Sequence, residues 1–327
     1  MTDRREDGLS GISGLKTVGV LQRLARLFAD EAQACYLEIG VFQGLTLVST
    51  ALEAPELPCF GIDNFATLDP DGENQAIVRE RLDRFGAARA LGFKAVECQL
   101  PYDHGAEELA RACQDEKLQF VMFNAPPGDM EAGEYGISRL PGREAEFRDS
   151  IGKALEYAKT LESRFIHVLA GIVPDGESRE RCHEVYVENL KWAAETCGDA
   201  DVGVLIEPIN TFERPGYLTT LTAEARDTVT RVGHPNLGIQ FDFHNAQLME
   251  GCLTRALEET IGFIKHMQIA GVPGRTPPDE GEMNYPYLFG VIDRLGYEGW
   301  IGCEYRPHDD DGATKESLRC AAEFGLG

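Results

Sequence analysis

Four apolar runs in this chain end on side chains that packing alone does not favour. Val204-Leu-Ile stops at Glu207, and Leu237-Gly-Ile-Gln-Phe stops at Asp242. Ile264-Lys-His-Met stops at Gln268, and Trp300-Ile-Gly-Cys stops at Glu304. An unpaired carboxylate is costly to remove from water, so a buried strand that finishes on one points to chemistry. The four positions are spaced 35, 26 and 36 residues apart, the rhythm of strand-helix repeats that deliver a ligand at the same end. Three carboxylates gathered there repel one another unless a cation lies between them. A set of oxygen donors suits Mg2+ or Mn2+, not zinc or copper. The plainer alternative is a structural carboxylate network.

Such a set can run a 1,2-proton transfer on an α-hydroxycarbonyl. The cation holds the two substrate oxygens, one carboxylate removes a proton from one carbon, and another returns a proton to its neighbour. Glu207 and Glu304 are the candidate pair, and their ligand and proton roles need not exclude each other. Further polar residues close other strand-like runs: Glu97, Asn124 and His167. Each has an ordinary reading too. His167 in an apolar strand could be a hydrogen-bonded core histidine, Asn124 a turn cap, and Glu97 a salt-bridged residue of a barrel layer.

The elements that must position these residues alternate regularly. Strands are expected at 94–100, 118–124, 164–170, 202–207, 237–243, 264–270 and 300–305. Helices are expected at 75–90, 105–116, 144–162, 179–197, 222–232, 253–261, 285–295 and near 314–324. The stripe Phe147, Ile151, Leu155, Ala158 and Leu161 lies on one helical face. Strands alternating with helices imply right-handed crossovers and a parallel sheet, and a (β/α)8 TIM barrel needs eight strands. The run 58–63, closing on Asp63, is the expected first strand. Residues 1–57 then form an extra helix–strand–helix ahead of a barrel domain spanning 58–327.

Bulk properties bound the function. The 327 residues carry 31 Lys+Arg against 55 Asp+Glu, a net charge of −24. That balance argues against a nucleic-acid or anionic-membrane surface, which needs clustered cations. Nine scattered cysteines without a CxxC pair read as reduced core residues. No run approaches the ~18 apolar residues of a spanning helix, and no apolar segment follows the charged start as a signal peptide would. A cytoplasmic enzyme acting on a small molecule is expected, and a homo-oligomer is compatible with this composition without being required by it.

From about Phe85 to Pro307 the chain resembles the hydroxypyruvate isomerase family, a branch of the xylose-isomerase-like TIM barrels. The strings that carry the resemblance are Gly92-Phe-Lys-Ala-Val-Glu97, Phe123-Asn-Ala-Pro-Pro-Gly-Asp129, His167-Val-Leu-Ala-Gly171, Gly281-Glu-Met-Asn-Tyr-Pro286 and Gly299-Trp-Ile-Gly-Cys-Glu-Tyr305. The resemblance implies interconversion of hydroxypyruvate and tartronate semialdehyde, or isomerisation of a related 2-oxo sugar acid. It implies Glu207, Asp242, Gln268 and Glu304 as metal ligands, with Glu207 and Glu304 as the acid/base pair. The family pattern Asp-x-x-His is replaced in this chain by Asp242-Phe-His-Asn245, with His244 one residue early. For the substrate, Asn124, His167, His244 and Arg275 are the candidate contacts, with Arg143 and His104 as further candidate partners for its carboxylate. The loop 271–284 is a candidate lid.

The N-terminal stretch Tyr36-Leu-Glu-Ile-Gly-Val-Phe-Gln-Gly44, followed by Phe60-Gly-Ile-Asp63, resembles the opening of a class I S-adenosylmethionine (SAM)-dependent methyltransferase. In such a domain the glycine loop lets the cofactor approach the backbone, and the acid ending the second strand binds ribose hydroxyls. Two alternatives to the isomerase follow: a SAM-binding module, or an inactive hybrid of the two families.

Overall fold

Parallel strands buried on both faces read as continuous apolar runs, and residues 119–124, 203–206, 237–242 and 264–269 form such strands. The computed structural model describes residues 36–39, 59–62, 94–130 and 132–306. They fall into two compact units. The smaller contains β1 (Tyr36–Ile39) and β2 (Cys59–Ile62), which pair in parallel from Tyr36–Cys59 to Ile39–Ile62.

The larger unit is a TIM barrel. Its seven parallel strands are β3 (Ala95–Cys98), β4 (Gln119–Asn124), β5 (Phe165–His167), β6 (Gly203–Ile206), β7 (Leu237–Asp242), β8 (Ile264–Ile269) and β9 (Ile301–Cys303). They lie side by side in chain order, as short right-handed crossovers dictate. The barrel is nearly closed. Its first and last strands meet through side chains, since the Gln99 amide donates to Glu304 and Glu97 lies across β9. A Cβ on Gly302 would collide with the Glu97 carboxylate, so a larger residue there would push the Glu97 side chain aside.

One expectation is corrected. The run 58–63 is expected in the first barrel slot, but its described residues pair with β1 and are not among the strands of the seven-stranded sheet. The helices expected at 75–90 and near 314–324, and those flanking β1, lie outside the described residues.

The helices of the barrel are α1 (Ala106–Asp115), α2 (Glu144–Leu161), α3 (Arg179–Gly198), α4 (Thr222–Val232), α5 (Phe243–Met249), α6 (Leu253–Thr260) and α7 (Tyr285–Arg294). Helix α2 buries Phe147, Ile151, Ala154, Leu155, Ala158 and Leu161, the i, i+4 stripe of a core-facing helix. Helix α3 starts where the Ser178 hydroxyl accepts from the Arg181 N–H. Helix α4 stops at Gly233, whose φ of 64° is the left-handed turn glycine adopts freely. Helix α5 is absent from the sequence-based expectation. It begins directly at the end of β7, capped by Asp242, whose Oδ1 accepts from His244 N at 2.8 Å.

Two buried tyrosines fasten the strand ends that carry the polar residues. Tyr217 Oη accepts from Ala170 N at 3.0 Å. Tyr285 Oη accepts from Ala270 N at 3.0 Å and donates to Ala270 O at 2.7 Å. Replacing Tyr285 by Phe strands both backbone groups in a dry site, so the variant is expected to lose about 1–3 kcal/mol of stability in denaturant unfolding.

Candidate active site

Strand register decides which side chains meet. Asn124 pairs with His167 across β4 and β5. Gln240 pairs with His266, and Asp242 with Gln268, across β7 and β8. Glu207 directly follows β6, and Glu304 directly follows β9. The C-terminal strand ends thus gather the residues singled out by sequence.

Three of them form one cluster. Oxygens of Glu207, Asp242 and Glu304 all lie within 4.8 Å of one another. Glu207 and Asp242 are buried and Glu304 is partly buried. The cation that meets them is Arg275, carried by the loop after β8. Its Nη2 donates to Asp242 Oδ2 at 2.7 Å and to the Glu304 carboxylate, and its Nε donates to Glu304 O at 3.1 Å. Its Nη1 lies 3.6 Å from Glu213 Oε2. Burial alone would lower the Arg275 pKa, but Asp242, Glu304 and Glu207 hold it well above the usual arginine value.

One guanidinium does not balance three carboxylates. Burial, then the neighbouring Asp242 and Glu304 charges, push Glu207 well above the ordinary carboxylate range. Burial also raises Glu304, against the pull of Arg275. With all three acids ionised, three carboxylates and one guanidinium leave two negative charges in a space a single ion can span. The donors are hard oxygens, so the residues present fit a divalent cation of the Mg2+ or Mn2+ type.

The other expected residues divide. Gln268 lies next to Asp242 in register, but its Oε1 accepts from Gln240 Nε2 at 2.5 Å and its Nε2 donates to Glu97 Oε1 at 2.7 Å. His167 is buried, with Nδ1 2.9 Å from Asn124 Oδ1 and Nε2 3.9 Å from Glu207 Oε2. That Nε2 has no hydrogen-bond partner. Burial, helped by the His266 charge, pushes the His167 pKa down to about 3, so the ring is neutral. A neutral ring donating from Nδ1 to the Asn124 oxygen presents a lone pair at Nε2. His244 is buried with Nδ1 2.9 Å from the Gly271 carbonyl. Arg143 is engaged with Glu134 and Glu146 on the surface.

Four further participants are not among the candidate site residues named from the sequence. Asn245 reaches between Glu207 and Asp242. Gln240 donates to Glu207 Oε2 at 3.0 Å. His266 pairs with Glu97 at 2.6 Å, the salt-bridged layer read for Glu97. Glu213 faces Arg275. Gln240 and His266 each precede a named residue by two in the same strand, so strand periodicity could have found both. Asn245 stands at the histidine position of the Asp-x-x-His pattern, a signal that could have found it; its place on helix α5 is what the periodicity does not show.

A parallel barrel with an acidic cluster at its strand ends is an enzyme scaffold. Residues 85–324 match the xylose isomerase-like TIM barrel family. The 2-oxo-tetronate isomerase of Cupriavidus necator is 51% identical over 226 residues, covering 69% of this chain and 87% of that one. The hydroxypyruvate isomerase of Escherichia coli is 45% identical over 238 residues, covering 73% and 91%. A crystal structure from Brucella melitensis, described as an AP endonuclease of family 2, superposes with a TM-score of 0.70 at 44% identity, covering 75% and 92%. The chain therefore belongs to the xylose isomerase-like TIM barrel family.

The raised Glu207 pKa has a stability consequence of definite sign. A carboxyl raised by burial favours its neutral form in the fold, so its folded state loses stability as pH rises through the folded pKa. With chelator present, the melting temperature of Glu207→Gln relative to the unsubstituted protein should therefore increase as pH rises. A difference that stays flat, or falls, would show that Glu207 is not raised.

Proposed function

We propose that this isomerase acts on small 2-oxo hydroxy acids, interconverting hydroxypyruvate and tartronate semialdehyde or a related 2-oxo sugar acid. The observation that carries the reading is the meeting of Glu207, Asp242 and Glu304 at one strand-end cluster with Arg275 against it. The names of the relatives from C. necator and E. coli support the substrate class.

Glu207, Asp242 and Glu304 would hold the divalent ion, with Gln268 beside Asp242 as the fourth donor, through the lone pair its amide oxygen keeps free while accepting from Gln240. A bound Mg2+ or Mn2+ supplies electrostatic stabilisation of the negative charge that develops on the substrate oxygens. In hydroxypyruvate the proton leaves the hydroxyl-bearing carbon and a proton is added at the neighbouring carbonyl carbon, while the hydroxyl proton passes to the second oxygen. Glu207 and Glu304 are the acid/base pair for the carbon-bound protons, one accepting and the other returning. Arg275 offers a cation to the substrate carboxylate. Asn124 sets the His167 tautomer, and the His167 Nε2 lone pair accepts a substrate hydroxyl. His244, fixed against Gly271, completes the wall of the site.

Purified protein should interconvert hydroxypyruvate and tartronate semialdehyde in a reaction that chelator stops and Mn2+ or Mg2+ restores. Glu207→Gln and Glu304→Gln should each lower kcat by about 10²–10⁴-fold, the range of a lost acid/base group. Full activity in either variant would remove that residue from the proton-transfer pair. Activity unaffected by chelator would remove the metal.

A further inference from the structure

Both carboxylate oxygens of Glu207 are met by side-chain amides. Asn245 Nδ2 donates to Oε1 at 2.9 Å, and Gln240 Nε2 donates to Oε2 at 3.0 Å. Each nitrogen also reaches a second strand-end group: Asn245 Nδ2 donates to Asp242 Oδ2 at 2.8 Å, and Gln240 Nε2 to Gln268 Oε1 at 2.5 Å. An amide nitrogen carries two hydrogens, so each can serve two acceptors at once.

The orientation of Asn245 is fixed independently of the carboxylates. Its Oδ1 accepts from the Asn210 backbone N–H at 3.2 Å and from Asn210 Nδ2 at 2.6 Å. A backbone N–H can only donate, so the Asn245 oxygen must face Asn210 and its nitrogen must face the acids. Asn210 is anchored in turn, its Oδ1 accepting from Glu213 N at 2.8 Å. Gln240 is fixed by its surroundings. Turning its amide over would press its oxygen against the Glu207 carboxylate and the Gln268 oxygen together. Both amides are buried, at 3% exposure for Asn245 and 2% for Gln240.

Both are also keyed to Asp242 by short-range geometry. Gln240 precedes it by two residues on the same strand face. Asn245 follows it by three in the first turn of α5, the spacing that stacks helix side chains over one another. Neither amide titrates or transfers a proton, so what they contribute is geometry and donor hydrogens.

We infer that Asn245 and Gln240 are positioning residues, a two-amide clamp that fixes the plane of the Glu207 carboxylate and ties it to Asp242 and Gln268. The clamp presents these groups to a cation as one preset group of donors. The inference builds on the site reading above, and its metal-binding arm stands apart from the choice of substrate.

The test is calorimetric titration of the full-length protein with Mn2+, alongside kcat and KM for hydroxypyruvate, in Gln240→Met and Asn245→Leu. Both substitutions remove the donors with little change of volume. A clamp predicts Mn2+ affinity weakened about 10–100-fold, the usual effect of losing a partner that orients a metal ligand. It also predicts kcat lowered about 10²-fold with KM within about threefold, as a misplaced reacting group produces. A merely structural role would lower the melting temperature and leave Mn2+ affinity and kcat per folded molecule within about twofold; that result overturns the clamp. Should Asn245→Leu fail to fold, Gln240→Met decides alone. No turnover of hydroxypyruvate by the unsubstituted protein counts against the isomerase reading while the Mn2+ titrations still decide the clamp. No Mn2+ binding by that protein overturns both.

Discussion

Three carboxylates brought within 4.8 Å of one another at the end of a buried sheet are an electrostatic problem that the surrounding structure must solve. Removing charges from water costs several kcal/mol per ion, and this is recovered only where opposite charge and hydrogen-bond donors are supplied with good geometry. The donors are supplied from three directions. Arg275 comes from the loop after β8, Asn245 from the first turn of α5, and Gln240 from the same strand as Asp242. The guanidinium offsets one charge. The remaining negative charge fits a cation, and the proposed reaction draws its acid/base pair from the same acids.

The barrel makes this arrangement rigid. Parallel register sets Asp242 beside Gln268 and Gln240 beside His266, so the residues form layers across the strand ends. Beneath them the sheet is dry, with Val204, Leu205, Ile206, Ile239 and Phe241 fully buried. A carboxylate at the end of such a strand cannot drift without moving the core, because close-packed interiors yield little. Tyr217 and Tyr285 add fixed hydrogen bonds at Ala170 and Ala270, just past His167 and Gln268. The site is thus built from rigid elements, with loop residues contributing Arg275 and Glu213.

Much of this is legible in the sequence, and the physical reason differs from residue to residue. Glu207, Asp242 and Glu304 stand out because an apolar strand has no packing reason to end on an acid, and the repeat interval puts them at one level. Gln268 stands on the expected strand at the expected depth, but the spacing carries no sign that Gln240 engages its amide oxygen and Glu97 its amide nitrogen. Asn245 lies in a short helix with no cap signal other than Asp242 itself, which also reads as a strand end. Arg275 shows how little a loop reveals. Its position on the acids depends on a loop path set by the fold, not by local periodicity. The run 58–63 looks like a barrel strand because apolar content marks a strand without naming its partner, and in the structure its partner is Tyr36–Ile39.

The most direct test is a crystal soaked in Mn2+ and measured at the manganese absorption edge. One anomalous peak lying between the carboxylates of Glu207, Asp242 and Glu304, about 2.0–2.3 Å from an oxygen of each, is the expected result for hard oxygen ligands on a cation of this size. Mn2+ bound elsewhere on the chain, with the strand-end cluster holding only Arg275, would contradict the central role of those three acids.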